Sequence, residues 1–314
     1  MSQKKITIIT SVYKADQLID NYLKHITTLN GFELCKLLLY DIVDSHRNPI
    51  KIENLIEEYR LKYNNIELIK IKEDPRLYEI WNMGVRESDT EFITNANLDD
   101  FRHPDYLIKA LYYLDKNIVD LYSSNYYTIK QLPTKWEDVN ILARDKITNK
   151  KIKAEYPCIK KQYIYSYDNM FQLNKDYTYV KKCYPHCAPV WRRALHMIDG
   201  EVRILFDEDK YGACADYEFW IHSSKYHNSK FLLDYIPMIL YYEGVHNHGV
   251  VGKIKNKELE KEILHSPIYK YFINKNQYKY HSQNKLVHMG IHNYLNIKIM
   301  SRYINNLNTF CLNI

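Results

Sequence analysis

Glu91-Phe92-Ile93-Thr94 runs directly into Asn95-Ala96-Asn97-Leu98-Asp99-Asp100. The first four residues have the β-branched and aromatic character of a buried strand, and the amides and carboxylates that follow suit a turn. Three similar strands precede it: Ile6-Thr7-Ile8-Ile9-Thr10, Leu37 to Val43, and Ile66 to Ile71. Between them apolar residues recur at helical spacing. Leu18, Ile19, Tyr22, Leu23, Ile26 and Leu29 make one helix, Ile52, Leu55, Ile56, Tyr59 and Tyr63 a second, and Tyr78 to Arg86 a short third. A helix from Pro104 to Lys116 and a strand from Val119 to Tyr127 continue the alternation. Strand alternating with helix predicts an α/β fold built on a mostly parallel, doubly wound sheet. Ligands of such sheets bind beyond the carboxyl ends of the strands, which is where Asn97 to Asp100 is expected.

Further on the pattern changes. From 128 to 185 Tyr, Lys and Asn dominate without periodicity, so long surface loops are expected. Pro189 to His196 reads as a helix, as does Ala213 to Tyr226 with Tyr217, Trp220 and Ile221 on one face. Strands are expected at 231–235 and 238–242, within a mainly apolar stretch that nevertheless contains Asp234 and Pro237. The last part is helical in places. One domain over residues 1–250 and a basic, largely helical C-terminal extension over 251–314 are therefore expected.

The chain of 314 residues is long enough for a substantial core. Its 46% hydrophobic and 26% charged residues exclude disorder, and 8 Gly and 9 Pro exclude collagen-like and low-complexity classes. No apolar run reaches the roughly 18 residues of a membrane span, and Met1 to Lys5 lacks the features of a signal peptide, so a cytoplasmic location is expected. Six cysteines in a chain this long are no disulfide scaffold and suit a reducing compartment. The net charge of +6 is uneven: residues 249–314 hold ten Lys and Arg against three Asp and Glu, which leaves residues 1–248 at −1. Such a tail suits phosphate-bearing ligands, an anionic membrane surface or nucleic acid, and equally a solvated helical face.

Four places carry residues suited to chemistry. On the turn after the fourth strand, Asn97 and Asp99 can reach one divalent cation, since Mg²⁺ and Mn²⁺ prefer oxygen ligands; the same residues also suit a plain turn. Asp216 is expected in the first turn of its helix, where the helix N-terminus favours a carboxylate able to accept a proton; a helix-starting acid with core aromatics behind it reads the same way. Glu243-Gly244-Val245-His246-Asn247-His248 follows a strand and offers histidine ligands, or a polar loop. Cys183-Tyr184-Pro185-His186-Cys187 hints at zinc, but without the spacing of common fingers or ribbons. No glycine-rich dinucleotide loop, P-loop or nucleophile elbow occurs.

Taken in order, these pieces resemble a family-2 glycosyltransferase of the GT-A (Rossmann-like) fold over roughly residues 5 to 250. Ile6 to Tyr13 resembles the opening strand and nucleotide-binding turn, and Val43-Asp44-Ser45 the acidic end of the second strand. Leu77-Tyr78-Glu79-Ile80-Trp81-Asn82-Met83-Gly84-Val85 resembles the family's short helix, and Asn97-Leu98-Asp99-Asp100 stands where the family has Asp-x-Asp. Pro189-Val190-Trp191-Arg192 and Ala215-Asp216-Tyr217-Glu218-Phe219-Trp220 resemble the acceptor-side helix and the motif of the catalytic base, and Tyr241 to His246 the strand and histidine that close the metal site. Asn97 replaces the first Asp, Asp44-Ser45-His46 replaces Asp-Gly-Ser, His222 stands where an Arg is common, and an Arg before the closing His is absent.

The resemblance implies inverting transfer of a sugar from a UDP-, GDP- or dTDP-sugar to the hydroxyl of a glycan or other acceptor. It divides the domain into a nucleotide-binding half, 1–105, and an acceptor half, 106–250. It implies Asp216 as catalytic base, and a Mn²⁺ or Mg²⁺ held by Asp99 and His246. Nucleotide-sugar contacts fall to Thr10, Ser11, Val12, Tyr13, Asp44, Trp81, Asn82, Asn97, Asp100, Trp191 and Arg192. An oligomer and a peripheral contact of the basic tail with an anionic membrane are left open. The alternatives are a nucleotidyltransferase-like sugar-phosphate enzyme, which would normally carry a glycine-rich basic loop after the first strand, and a nucleic-acid-binding module. The tail bears no signature of the latter, so no nucleic acid is expected as a partner.

Overall fold

The structure is a computed structural model and describes residues 3–13, 17–42, 49–129, 132–133, 136, 154–155, 163–166, 185 and 188–242. The chain divides into one compact unit of residues 4–264 and another of residues 1–3 with 265–314. The fold below is that of the first.

Four parallel strands open the sheet in the order β3 (Ile66–Ile71), β2 (Cys35–Ile42), β1 (Ile6–Val12), β4 (Phe92–Asn95). Helices α1 (Ile19–Ile26), α2 (Pro49–Lys62) and α3 (Leu77–Glu87) connect them, as the sequence periodicity predicts. Ile6, Ile8, Ile9 and Val12 of β1 and Leu37, Leu38 and Leu39 of β2 have no appreciable exposure, the mark of strands covered on both faces. Gly84 lets α3 lie close on β1: a Cβ there would sit 2.6 Å from the Ile9 side chain.

Beyond β4 the sheet becomes mixed. Next come β9 (Val190–Arg192), β6 (Leu121–Ile129), β12 (Lys230–Tyr242) and β5 (Asp100–Arg102). β6 and β12 keep the common direction, while β9 and β5 run against their neighbours. Short strands β7 (Ala154–Glu155) and β8 (Tyr163–Ser166) pair with β6 and β12. Helix α4 (Tyr106–Asp115) covers β6. The mostly parallel doubly wound sheet expected from the sequence is present.

Two local expectations are corrected. Pro189 to His196 is no helix: Val190–Arg192 forms β9, wedged between β4 and β6, and only Arg193–His196 turns, as a 3₁₀ segment. The two strands expected near the end are one, β12, whose register shifts around Pro237 let a residue without an N–H sit inside it. Asp234 at this irregularity is satisfied: its Oδ1 accepts the Ile236 N–H at 3.0 Å, and its Oδ2 meets Lys109 Nζ at 2.6 Å and the Tyr122 hydroxyl at 3.1 Å. After β9 a hairpin of β10 (Met197–Ile198) and β11 (Glu201–Val202) turns on Asp199-Gly200, both at positive φ, as a two-residue hairpin requires. Helices α5 (Glu208–Tyr211) and α6 (Ala215–His227) follow. Among the described residues no helix is long and apolar enough to cross a membrane. The C-terminal extension lies outside them.

Candidate active site

Ala96 N–H donates to Ile9 O at 2.8 Å, so β4 stays beside β1 to its carboxyl end. The chain then turns. Asp100 N–H reaches Asn97 O at 3.3 Å and the Asn97 side-chain amide donates to Asp100 Oδ2 at 3.0 Å, which closes Asn97 to Asp100 from both sides. Asp100 begins β5 opposite Tyr241 of β12 and is 2% exposed. Asp99 is left at the bend, half-buried. A turn that reverses into an antiparallel edge strand thus leaves one carboxylate residue partly exposed and buries the next.

Under this turn lies a buried polar layer. Arg102 is fully buried; its Nη2 donates to Asn95 O at 2.5 Å and Thr94 Oγ1 at 3.2 Å, and its backbone N–H donates to His25 Nε2 at 2.8 Å. The His25 ring stacks on Phe101 at 3.6 Å. Burial, with Arg102 adding, pushes the His25 pKa down to about 3. Burial and the Asp99 charge push Asp100 up to about 7, against the pull of Arg102 and the Asn97 hydrogen bond. The Thr10 hydroxyl pairs with Tyr22 Oη at 2.5 Å, and burial raises Tyr22 to about 12.

Asp216 arrives by another route. Helix α3 starts on the carboxyl-end side of the sheet, directly after β3. Onto its first turns folds the segment from Phe206: Tyr78 N–H donates to Glu208 Oε2 at 3.0 Å, the Tyr78 hydroxyl donates to Ala213 O at 3.1 Å, and Arg76 pairs with Asp209 at 2.5 Å. A 3₁₀ turn, Gly212–Cys214, passes into α6 with Asp216 in its first turn, where Tyr217 N–H donates to Asp216 Oδ1 at 2.8 Å. Burial, with Asp207 nearby, raises Glu218 in the same turn to about 7. Behind it Phe206, Phe219, Trp220, Trp191 and His196 form one aromatic cluster, with Phe206 and Phe219 4.5 Å apart and Trp191 and Trp220 5.2 Å apart.

One end of the sheet thus gathers Ser11 in the last residues of β1 and the exposed Tyr13 just after it, the Asn97–Asp100 turn after β4, and the amino end of α3 with the segment that leads to Asp216. Thr10 and Val12 are there too but have no exposed surface. Trp81 is 6% exposed and packs on Tyr78 and Phe206, and both ends of the Asn82 amide engage the Phe206 backbone. Trp191 and Arg192 are not brought to this end. Trp191 is fully buried with its indole N–H on His196 Nε2 at 2.9 Å. Arg192 lies opposite Phe92, the first residue of β4, and holds Glu91, Asp120, Leu114 O and Asn117 at the amino ends of the strands. The reason is β9: as a strand antiparallel to β4, it carries the chain away from the site. Asp44 and His246 fall outside the described residues. Sequence reasoning missed Arg102, Tyr22, His25 and Glu218; only the alternation of apolar and polar residues in Asp100-Phe101-Arg102 signalled the first.

Residues 7–198 match the model of glycosyl transferase family 2, and the chain belongs to that family; it is a glycosyltransferase. No curated protein matches it in sequence. Among solved structures it is similar to S. aureus TarS 1-349, with a TM-score of 0.56 and 13% identity over 89% of this chain and 73% of that one. It is likewise similar to the complex of that protein with UDP-GlcNAc, at 0.57 and 14% over 86% and 72%. These likenesses show the GT-A fold.

Proposed function

We propose that this glycosyltransferase moves a sugar from a nucleoside-diphosphate donor to an acceptor hydroxyl by direct displacement, with inversion. Asp216 takes the hydroxyl proton while the acceptor oxygen forms its bond to the anomeric carbon. The bond from that carbon to the diphosphate oxygen breaks on the opposite face, and the nucleoside diphosphate leaves. Ser11, Tyr13 and Asp44 hold the nucleoside, and Asn97 and Asp100 shape the turn toward the diphosphate. The observation that carries this reading is the shared end of the sheet: the acidic turn beside β1 and, through α3, the segment leading to Asp216 lie on that side.

The donor atoms suit a hard divalent cation. Asp99 offers carboxylate oxygens from a half-buried bend, whereas no group of three His, Cys, Asp or Glu among the described residues forms a full metal cage. Mg²⁺ and Mn²⁺ commonly complete their shells with water and substrate phosphate, so such a sparse set fits them. Asp99, with His246, would hold the ion, which when bound offsets charge on the leaving diphosphate. TarS, which shares the fold, has been solved with UDP and with UDP-GlcNAc, so UDP-sugars head the donors to test.

The test pairs binding with turnover. A thermal-shift screen of UDP-, GDP- and dTDP-sugars, with and without Mn²⁺, identifies the donor, since a ligand of the folded state raises its apparent stability. With that donor, Asp216→Asn is expected to cut release of nucleoside diphosphate by about 10²–10⁴-fold and to preserve the nucleotide-induced shift. Near-wild-type turnover by the variant would overturn the assignment of the base.

A further inference from the structure

We infer that Asn82 is a positioning residue that sets the place of the Asp216 carboxylate, acting through the backbone of Phe206. The inference rests on the proposal that Asp216 is the base. Asn82 is 4% exposed. Its Oδ1 accepts the Phe206 N–H at 2.9 Å and its Nδ2 donates to Phe206 O, also at 2.9 Å. Two bonds to the N–H and C=O of one residue fix both its position and its rotation, as pairing within a sheet does. The remaining Asn82 contact, to Glu79 Oε2 at 3.1 Å, ties the amide to its own helix.

Phe206 is the junction that passes this constraint on. Its ring, 2% exposed, lies 5.4 Å from Trp81 of α3 on one side and 4.5 Å from Phe219 and 5.9 Å from Trp220 of α6 on the other. Asp216 is one helical turn before Phe219. Between the clamp and the base the chain is held again at Glu208, which caps the Tyr78 N–H, and at Ala213, whose carbonyl takes the Tyr78 hydroxyl. Helix α3 is therefore the bench on which the base-bearing turn is mounted, and Asn82 is its most buried fastening.

Asn65 supplies the control. It is likewise a buried asparagine whose amide holds distant backbone, with its Nδ2 donating to Phe32 O and Cys35 O, both at 2.9 Å, and it is 7% exposed. It sits at the amino ends of β2 and β3, the far end of the sheet. Asn82→Ala and Asn65→Ala are both expected to lower the melting temperature. At a temperature where circular dichroism shows both folded, Asn82→Ala is expected to cut turnover at saturating donor about 30- to 100-fold, with donor KM unchanged, since a displacement near 1 Å has that scale of effect. Asn65→Ala is expected to stay within about twofold of the parent, as its clamp touches no part of the reaction path. In the Asp216→Asn background, Asn82→Ala is expected to add less than about threefold, because a residue acting through the base has nothing left to position.

Equal turnover of folded Asn82→Ala and Asn65→Ala, or a full multiplicative loss in the Asp216→Asn background, overturns the inference. High turnover of Asp216→Asn alone overturns the base assignment beneath it, so the two failures are distinguishable. Should Asn82→Ala not fold, Glu208→Ala removes the neighbouring cap from a half-exposed position. Its loss of turnover without change in donor KM supports the mounting on α3, and parental turnover refutes it.

Discussion

The two flanks of the sheet are assembled by opposite means. Strands β1 to β4 are joined in turn by helices α1, α2 and α3: the first two lead each to the parallel neighbour on one side, and α3 brings the chain back to set β4 on the other side of β1. The other flank is stitched from distant pieces. β9 enters between β4 and β6 against both, and β5, three residues long, lies antiparallel on the far end of β12. A small polar layer of Tyr22 and His25 from α1 with Arg102 from β5 lies under the turn between the two flanks, and the aromatic cluster around Phe206 joins β9 to α3 and α6. The difference teaches where function can be assigned residue by residue. Turns at strand ends carry their own chemistry, whereas a side chain on β9 takes its role entirely from what it packs against.

This contrast is easiest to break at Trp191. If it is a packing residue, Trp191→Ala should destabilise the chain by about 3–5 kcal/mol in urea unfolding, the range for a fully buried Trp, while the folded fraction keeps its nucleotide-induced shift. Loss of nucleotide binding without loss of stability would return Trp191 to the site. On the opposite flank, Asp99→Asn should leave stability nearly unchanged and lower turnover about 10²-fold, or about 2.7 kcal/mol, with a raised midpoint for Mn²⁺. Wild-type activity after exhaustive chelation would remove the cation from the account.

A third, smaller effect follows from His196. Its Nδ1–H donates to the Ile204 carbonyl at 2.7 Å and its Nε2 accepts from Trp191, so the ring is held neutral; burial takes its pKa down to about 3. Below about pH 6.5 the unfolded chain takes up a proton that the folded chain refuses. Stability is therefore whole above that pH and lost as pH falls toward 3, at up to about 1.4 kcal/mol per pH unit. Asp100 and Glu218, both raised to about 7, act in the opposite direction: the folded chain keeps their protons between about pH 4 and 7, so their share of stability falls as pH rises. His25, also held near 3 by burial, adds to the same limb, so His196→Gln should make the acid limb of a melting-temperature profile shallower without abolishing it, and an unchanged slope would mean that His196 is not a source. The smallest effect is expected at Arg192. Its ion pairs with Glu91 and Asp120 lie at the amino ends of the strands, so Arg192→Met should leave turnover within about twofold. A large loss of activity would contradict the position described above.

Much of the site's frame was legible because turn chemistry is local. Asn97 and Asp99 are the residues a turn prefers, and the apolar run before them announces the strand whose end they mark. Gly84 was legible only as part of a pattern; its reason, the closeness of Ile9, belongs to the packed fold. Asn82 was expected as a ligand contact, and nothing in the sequence signalled that its amide clamps a residue 124 positions away. Arg192 looked like a neighbour of the sugar because Pro189-Val190-Trp191-Arg192 resembles the family's acceptor-side helix; a short apolar run suits a strand as well, and its surroundings make that choice.

The sequence by itself determined the alternation of strand and helix through β4, the acidic turn at the strand's end and the helix that carries Asp216 in its first turn, since each depends on the preferences of adjacent residues. Only the tertiary structure decided that β9 is a strand running backward, that Arg102 lies beneath the turn and that Phe206 joins α3 to α6. Those outcomes depend on contacts between residues far apart in the chain, whose free energy exists only once the core has closed around them.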